Sequence, residues 1–132
     1  MPAKHHIDNK AKLIITTWEG EAIDIEFIEA IKKYQKDIHS NPDYLCYNEI
    51  VNFSKVKGIK LTTEGIINIG QIASRTDQNG VNRKLALIVS SNLAFGLARM
   101  YETYRNFAKN ANKEIRVFKN ENDAWEWIQM KT

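Results

Sequence analysis

Two hydrophobic periods alternate along this chain, and that alternation limits what it can fold into more than any other feature. Leu13-Ile14-Ile15-Thr16-Thr17-Trp18 is compact and β-branched, the pattern of a strand, and Gly20 breaks the run. From Asp24 the spacing changes. Phe27, Ile31, Tyr34 and Ile38 recur at helical intervals, with Lys32, Lys33, Lys36 and Asp37 between them. Asp24 is placed to cap this helix by accepting an orphan backbone N–H, and Asn41-Pro42 ends it, because the residue before a proline is driven out of the helical region. Residues 46–53 read as the next strand, followed by a loop containing Gly58. Thr62 or Thr63 then caps a helix carrying Ile66, Ile69 or Gly70, and Ala73, which dissolves in the turn-rich stretch Thr76-Asp77-Gln78-Asn79-Gly80.

Lys84-Leu85-Ala86-Leu87-Ile88-Val89 is continuous where an exposed strand would alternate, as expected of a strand covered on both faces. Ser91-Asn92 opens the longest helix, with Leu93, Leu97, Met100, Tyr104 and Phe107 on one stripe and Ala94, Ala98 and Tyr101 beside it. Residues 115–118 form the last strand, and Asn120 caps a final helix with Ala124, Trp127 and Ile128 on one face. Upstream, Asp8-Asn9-Lys10 has turn chemistry, which makes His5-His6-Ile7 a candidate edge strand folded back as a hairpin, the alternative being a loose N-terminus over 1–10.

The predicted order is (β)βαβαβαβα. Strands alternating with helices of this length imply an α/β fold: a mixed, mostly parallel sheet of four to five strands with four helices packed on it. A length of 132 residues fits one domain spanning 1–132 and suffices for a core without disulfides or metal. The net charge of 19 − 16 = +3 comes from scattered lysines and forms no basic stripe, so nucleic acid is not an expected partner. One cysteine, Cys46, permits no intrachain disulfide and fits a reducing compartment. No run approaches the roughly 18–20 apolar residues that span a bilayer, and Met1-Pro2-Ala3-Lys4-His5-His6 lacks a secretory apolar core, so the expected location is the cytoplasm.

No catalytic pattern emerges. His5, His6 and His39 have no metal-ligand spacing to one another or to Cys46, and Cys46, opening a strand, reads as a small buried hydrophobe. G-x-S-x-G, P-loop and G-x-G-x-x-G motifs are all missing, so the chain reads as non-enzymatic and without a cofactor.

Three segments carry a family likeness. Residues 85–102, ending Phe95-Gly96-Leu97-Ala98-Arg99-Met100-Tyr101-Glu102, are one; Arg116-Val117-Phe118 with Glu121-Asn122-Asp123-Ala124-Trp125-Glu126-Trp127-Ile128 is another; Val51-Asn52-Phe53-Ser54-Lys55-Val56 is the third. Together they resemble the SpoIIAA-like (STAS/SEC14-type) family of small bacterial domains. The resemblance implies a SpoIIAA-like fold and two kinds of role. One is regulation through protein contact, switched in anti-sigma-factor antagonists by phosphorylation of a hydroxyl at a helix N-terminus. The other is lipid binding, as in SEC14-type domains. The chain departs from the family at two places: Asn52 stands where an Asp is usual, and Leu61-Thr62-Thr63-Glu64 stands roughly where the antagonists have Asp-Ser-Ser-Gly.

The candidate sites follow from this layout. At the C-terminal edge of the sheet, Asn52, Phe53 and Ser54, with Ser90, Ser91 and Asn92, would gather beside helix N-termini suited to an anion, although the same residue types are preferred caps. Thr62 and Thr63 are the phospho-acceptor candidates, or plain caps with Glu64 in the first turn. Gly96, inside a helix at a cost of about 1 kcal/mol relative to alanine, calls for close packing or for room beside a ligand. Arg99 is either a partner-facing cation or half of an i,i+3 pair with Glu102. Phe118, Trp125 and Trp127, with Tyr104 and Phe107, form either core or an apolar pocket, and the outward Trp125 marks a surface for a protein partner or a homodimer. Two functions compete: a regulatory protein-interaction module, and a carrier of a small apolar or lipid-like molecule in a pocket of roughly 300 Å³ or more.

Overall fold

The structure, a computed structural model, describes residues 3–73, 83–107 and 113–130; the predicted turn at 76–80 and the side chains of Ile38 and Phe107 lie outside the described residues. The elements are β1 (Ala3–Asp8), β2 (Leu13–Ile23), α1 (Asp24–His39), a 3-10 turn (Pro42–Cys46), β3 (Asn48–Lys60), α2 (Thr63–Ala73), β4 (Arg83–Ile88), α3 (Asn92–Phe107), β5 (Lys113–Phe118) and α4 (Glu121–Gln129). They build one sheet in the order β1-β2-β3-β4-β5. β1 lies antiparallel on β2, and β2 through β5 are parallel. This is the mixed, mostly parallel α/β sheet with four helices that the alternating periods imply.

Because β2 to β5 follow one another across the sheet, every crossover steps in the same direction. Right-handed crossovers then put α1, α2 and α3 on one face. α4 packs on the other face. Strand residues sort between the two faces with period two. Leu13, Ile50, Ala86 and Ile88 meet Ala124, Trp127 and Ile128 of α4. Trp18, Leu85, Leu87 and Ile115 point to the three-helix face, where Phe27, Ala30 and Ile69 are buried. Sandwiched between these layers, every residue of β4 is buried, Arg83 and Lys84 included.

The hairpin at the N-terminus is present: Asp8 Oδ1 accepts from Ala11 N at 3.0 Å, and Lys12 turns the chain with φ 54°. Gly20 does not end β2. It sits at φ 78° between register shifts at Thr17/Glu19 and Gly20/Glu21, so it makes a bulge and the strand runs on to Ile23. Gly58 likewise lies inside β3, which pairs with β2 as far as Lys60. Exposed pairs Lys55–Glu19 and Lys60–Glu21, each at 4.0 Å, flank this two-stranded extension.

Three further expectations are corrected. Cys46 does not open a strand; it closes the 3-10 turn that Asn41 caps, and it is exposed. The inward side of α3 is Ala94, Leu97, Ala98, Tyr101 and Arg105; Leu93 and Met100, expected inside, are 65% and 41% exposed. The small side chains of Ala94 and Ala98 let the helix lie close, and Leu93 and Met100 turn outward while Leu97 stays inside and Tyr104 packs on Gly70. Gly96 is exposed, and nothing stands within 4 Å of where its Cβ would be, so close packing does not explain it. The glycines that packing does require are in α2: a Cβ on Gly65 would overlap the Asp24 carboxylate, and one on Gly70 would lie 2.6 Å from the Tyr104 ring.

Candidate functional site

Between the sheet and α1, α2 and α3 lies a cavity of about 140 Å³. Its formation follows from the small residues Ala30, Ala73, Ala94 and Ala98, which line it from three helices where larger side chains would fill the space. Toward the C-terminal ends of the strands its wall is aromatic. Trp18 of β2 stacks on Phe27 of α1 with ring centroids 4.2 Å apart, and Phe53 of β3 closes the group at 5.9 Å from Trp18 and 5.5 Å from Phe27. Leu85, Leu87 and Tyr101 continue the apolar lining.

Polar side chains enter at the other end. Thr16, two residues before Trp18 and on the same face of β2, lines the cavity with Glu49, Tyr34, Gln35 and His5. His5 and Thr16 are direct cross-strand partners, and His5 Nδ1 lies 2.8 Å from Thr16 Oγ1. The His5 ring also leans on Tyr34, centroids 5.0 Å apart. Gln35 ties α1 to α2 by donating from Nε2 to the Ile72 carbonyl at 2.6 Å. Glu49 forms a buried ion pair with Arg83, whose guanidinium also stands beside the Tyr34 hydroxyl. Arg105, 1% exposed, donates to the Tyr101 hydroxyl at 2.9 Å.

These surroundings shift three groups. Burial pushes the Tyr34 phenol well above its ordinary range, outweighing the opposite pull of the Arg83 charge, so the hydroxyl stays protonated. Burial likewise lowers the Arg83 guanidinium, with the Tyr34 and Cys46 groups acting the other way. Desolvation also lowers His5, against the attraction of Asp37, although its outer side on the edge strand is exposed. No sequence pattern places titratable groups together, but the fold brings His5, Tyr34, Glu49 and Arg83 into one set. Among the described residues, no group of three or more His, Cys, Asp or Glu side chains is arranged to hold a metal.

The residues singled out from sequence lie elsewhere, at element ends. Asn52 points to the α4 side, donating to Glu121 Oε1 at 2.8 Å and accepting from Ser54 N at 2.8 Å. Ser91 Oγ caps α3 by accepting from Ala94 N at 3.0 Å; Asn92 Oδ1 accepts from Lys119 Nζ at 3.2 Å; Ser54 and Ser90 are exposed. Thr62 is the cap of α2: its hydroxyl accepts from Gly65 N and donates to Asp24 Oδ2, both at 2.9 Å. The Asp24 carboxylate thus reaches across to Thr62, a different role from capping its own helix. Thr63 is exposed. Arg99 pairs with Glu102 at 3.1 Å. Trp125 is half-buried against the α4-side core, and Trp127 is buried there with Phe118 beside it. The expected C-terminal aromatic cluster is therefore split. Trp125, Trp127 and Phe118 lie under α4, Tyr104 packs on Gly70 across the sheet, and the cavity's aromatics come from β2, α1 and β3.

A fold of this kind has solved counterparts. The structure is similar to that of an uncharacterized protein of the DUF3478 family with a SpoIIAA-like fold from Shewanella loihica PV-4, with a TM-score of 0.59 over 96% of this chain and 93% of that one. Sequence identity is 10%, so the likeness is one of fold: the chain has a SpoIIAA-like fold. No protein-family model matches the sequence, and none of the curated proteins does. Among the described residues, no helix is long and apolar enough to cross a membrane.

Proposed function

We propose that this chain is a non-enzymatic binding module that takes a small apolar molecule between its sheet and α1–α3. The observation carrying this reading is the cavity itself, about 140 Å³ and walled by Trp18, Phe27 and Phe53. That volume is below the roughly 300 Å³ where sites for drug-sized ligands begin. It is close to the ~150 Å³ of an engineered apolar cavity that stays dry and binds benzene. The size argues for one ring or a short chain and against a lipid tail. Near neutral pH, Tyr34 is held protonated and the Glu49 charge is matched by Arg83, an arrangement suited to holding a ligand and poorly suited to proton transfer. The test is thermal unfolding in benzene, toluene or palmitate. Benzene and toluene should raise the Tm in proportion to the logarithm of their concentration, and palmitate should not. Unchanged Tm in every small apolar compound would refute the reading.

A second reading, a regulatory module acting through protein contact or as a homodimer, has one observation of its own. Leu93 and Met100, two helical turns apart on α3, are both exposed, with Arg99 beside them. Of the two threonines, Thr63 is the better phosphorylation candidate, because a phosphate on Thr62 would face the Asp24 carboxylate. A solution mass near twice 15.3 kDa that returns to the monomer value in Leu93→Asp would support the homodimer.

A further inference from the structure

The cavity is not apolar throughout, and its two ends differ in a way that selects a ligand. Resting on the binding reading above, we infer that the occupant is a single-ring compound bearing one uncharged hydrogen-bonding group, of the phenol or pyrrole kind. Its ring would lie against Trp18, Phe27 and Phe53, and its polar group toward Tyr34 and Thr16. The aromatic end favours a flat ring, since offset and edge-on ring contacts add to area burial. Thr16 precedes Trp18 by two strand positions, about 6.6 Å at parallel-strand rise. That span is close to the length of a substituted six-membered ring. The group at the polar end must be uncharged. A carboxylate or ammonium would shed its hydration in a mostly apolar space where Glu49 already has its counter-ion in Arg83. Tyr34 and Thr16 each carry a hydroxyl able to donate and accept, which suits a neutral O–H or N–H and leaves an apolar ring without a partner.

The experiment is titration of benzene, phenol and benzoate into the isotope-labelled full chain, followed by amide shifts, with Tyr34→Phe and Thr16→Val alongside the wild type. Phenol should bind about tenfold more tightly than benzene, a difference of ~1.4 kcal/mol, and benzoate more weakly than either. In at least one variant the advantage of phenol over benzene should fall several-fold while benzene still binds, which also shows that the cavity survives the substitution. Equal binding of benzene and phenol, tightest binding by benzoate, or a phenol advantage untouched in both variants would overturn this inference and leave the binding reading standing. Failure of benzene and phenol alike to bind would defeat that reading itself.

Discussion

Gly65 and Gly96 make opposite demands on a methyl group. At Gly65 the new Cβ would overlap the Asp24 carboxylate, whose position is fixed by Thr62, so Gly65→Ala should cost about 1–3 kcal/mol. At Gly96, exposed on α3 with nothing within 4 Å, Gly96→Ala should add about 0.4–1 kcal/mol. Urea midpoints at unchanged m-value measure both. The buried Glu49–Arg83 pair behaves differently again: Glu49→Gln takes the partner carboxylate from a buried guanidinium and should cost about 3–5 kcal/mol, much of it recovered in Glu49→Gln with Arg83→Met. Tyr34 and His5 set opposite limits on pH. The Tyr34 phenol is raised in the fold, so its contribution is whole below the ordinary value near 10.0 and is lost as pH rises above it. His5 is lowered, so the fold resists its protonation and stability falls as pH drops below about 6.5. Melting temperatures across pH should decline on both sides, and Tyr34→Phe should flatten the alkaline limb alone.

At the scale of elements, α4 depends on a lysine that its own sequence does not contain. Lys84 Nζ, buried from β4, donates to the carbonyls of Trp127 at 3.0 Å and Met130 at 2.5 Å, adding to the Met130 N–H that already reaches Trp127 and anchoring the end of the helix. Lys84→Met should therefore cost about 1.5–3 kcal/mol and speed amide exchange in α4 ahead of the other helices. Most element positions were legible in the sequence. Asn41-Pro42 stops α1 and Asn120 caps α4 by accepting from Asp123 N at 2.8 Å, because both signals act through the local backbone. Gly20 and Gly58 misled because a glycine marks a bulge or a break equally well, and the pairing of β2 with β3 decides between them. On α3 the broad apolar face holds at Ala94, Leu97, Ala98 and Tyr101, but Leu93 and Met100 turn outward, because close approach to the sheet favours small residues over bulk.

At the scale of the whole molecule, the SpoIIAA-like fold was legible and the cavity was not. A parallel order reads from alternating periods, but a cavity comes from Trp18, Phe27, Phe53 and Leu87 meeting across distant elements, and no local pattern announces that meeting. One trace was available: Glu49 and Arg83 each stand two residues before an apolar strand residue, Val51 and Leu85, and so share its inward face. Charges at such positions signal an interior pair. Filling the cavity gives a whole-molecule prediction: Ala30→Leu should raise stability by about 0.5–2 kcal/mol and abolish benzene binding. The most direct test of the central claim, that this interior space accepts a small apolar molecule, is the amide spectrum of the labelled chain under xenon gas. The account predicts saturable shifts confined to residues around Trp18, Phe27, Leu87 and Tyr101. An unchanged spectrum, or shifts scattered over the surface, would contradict it.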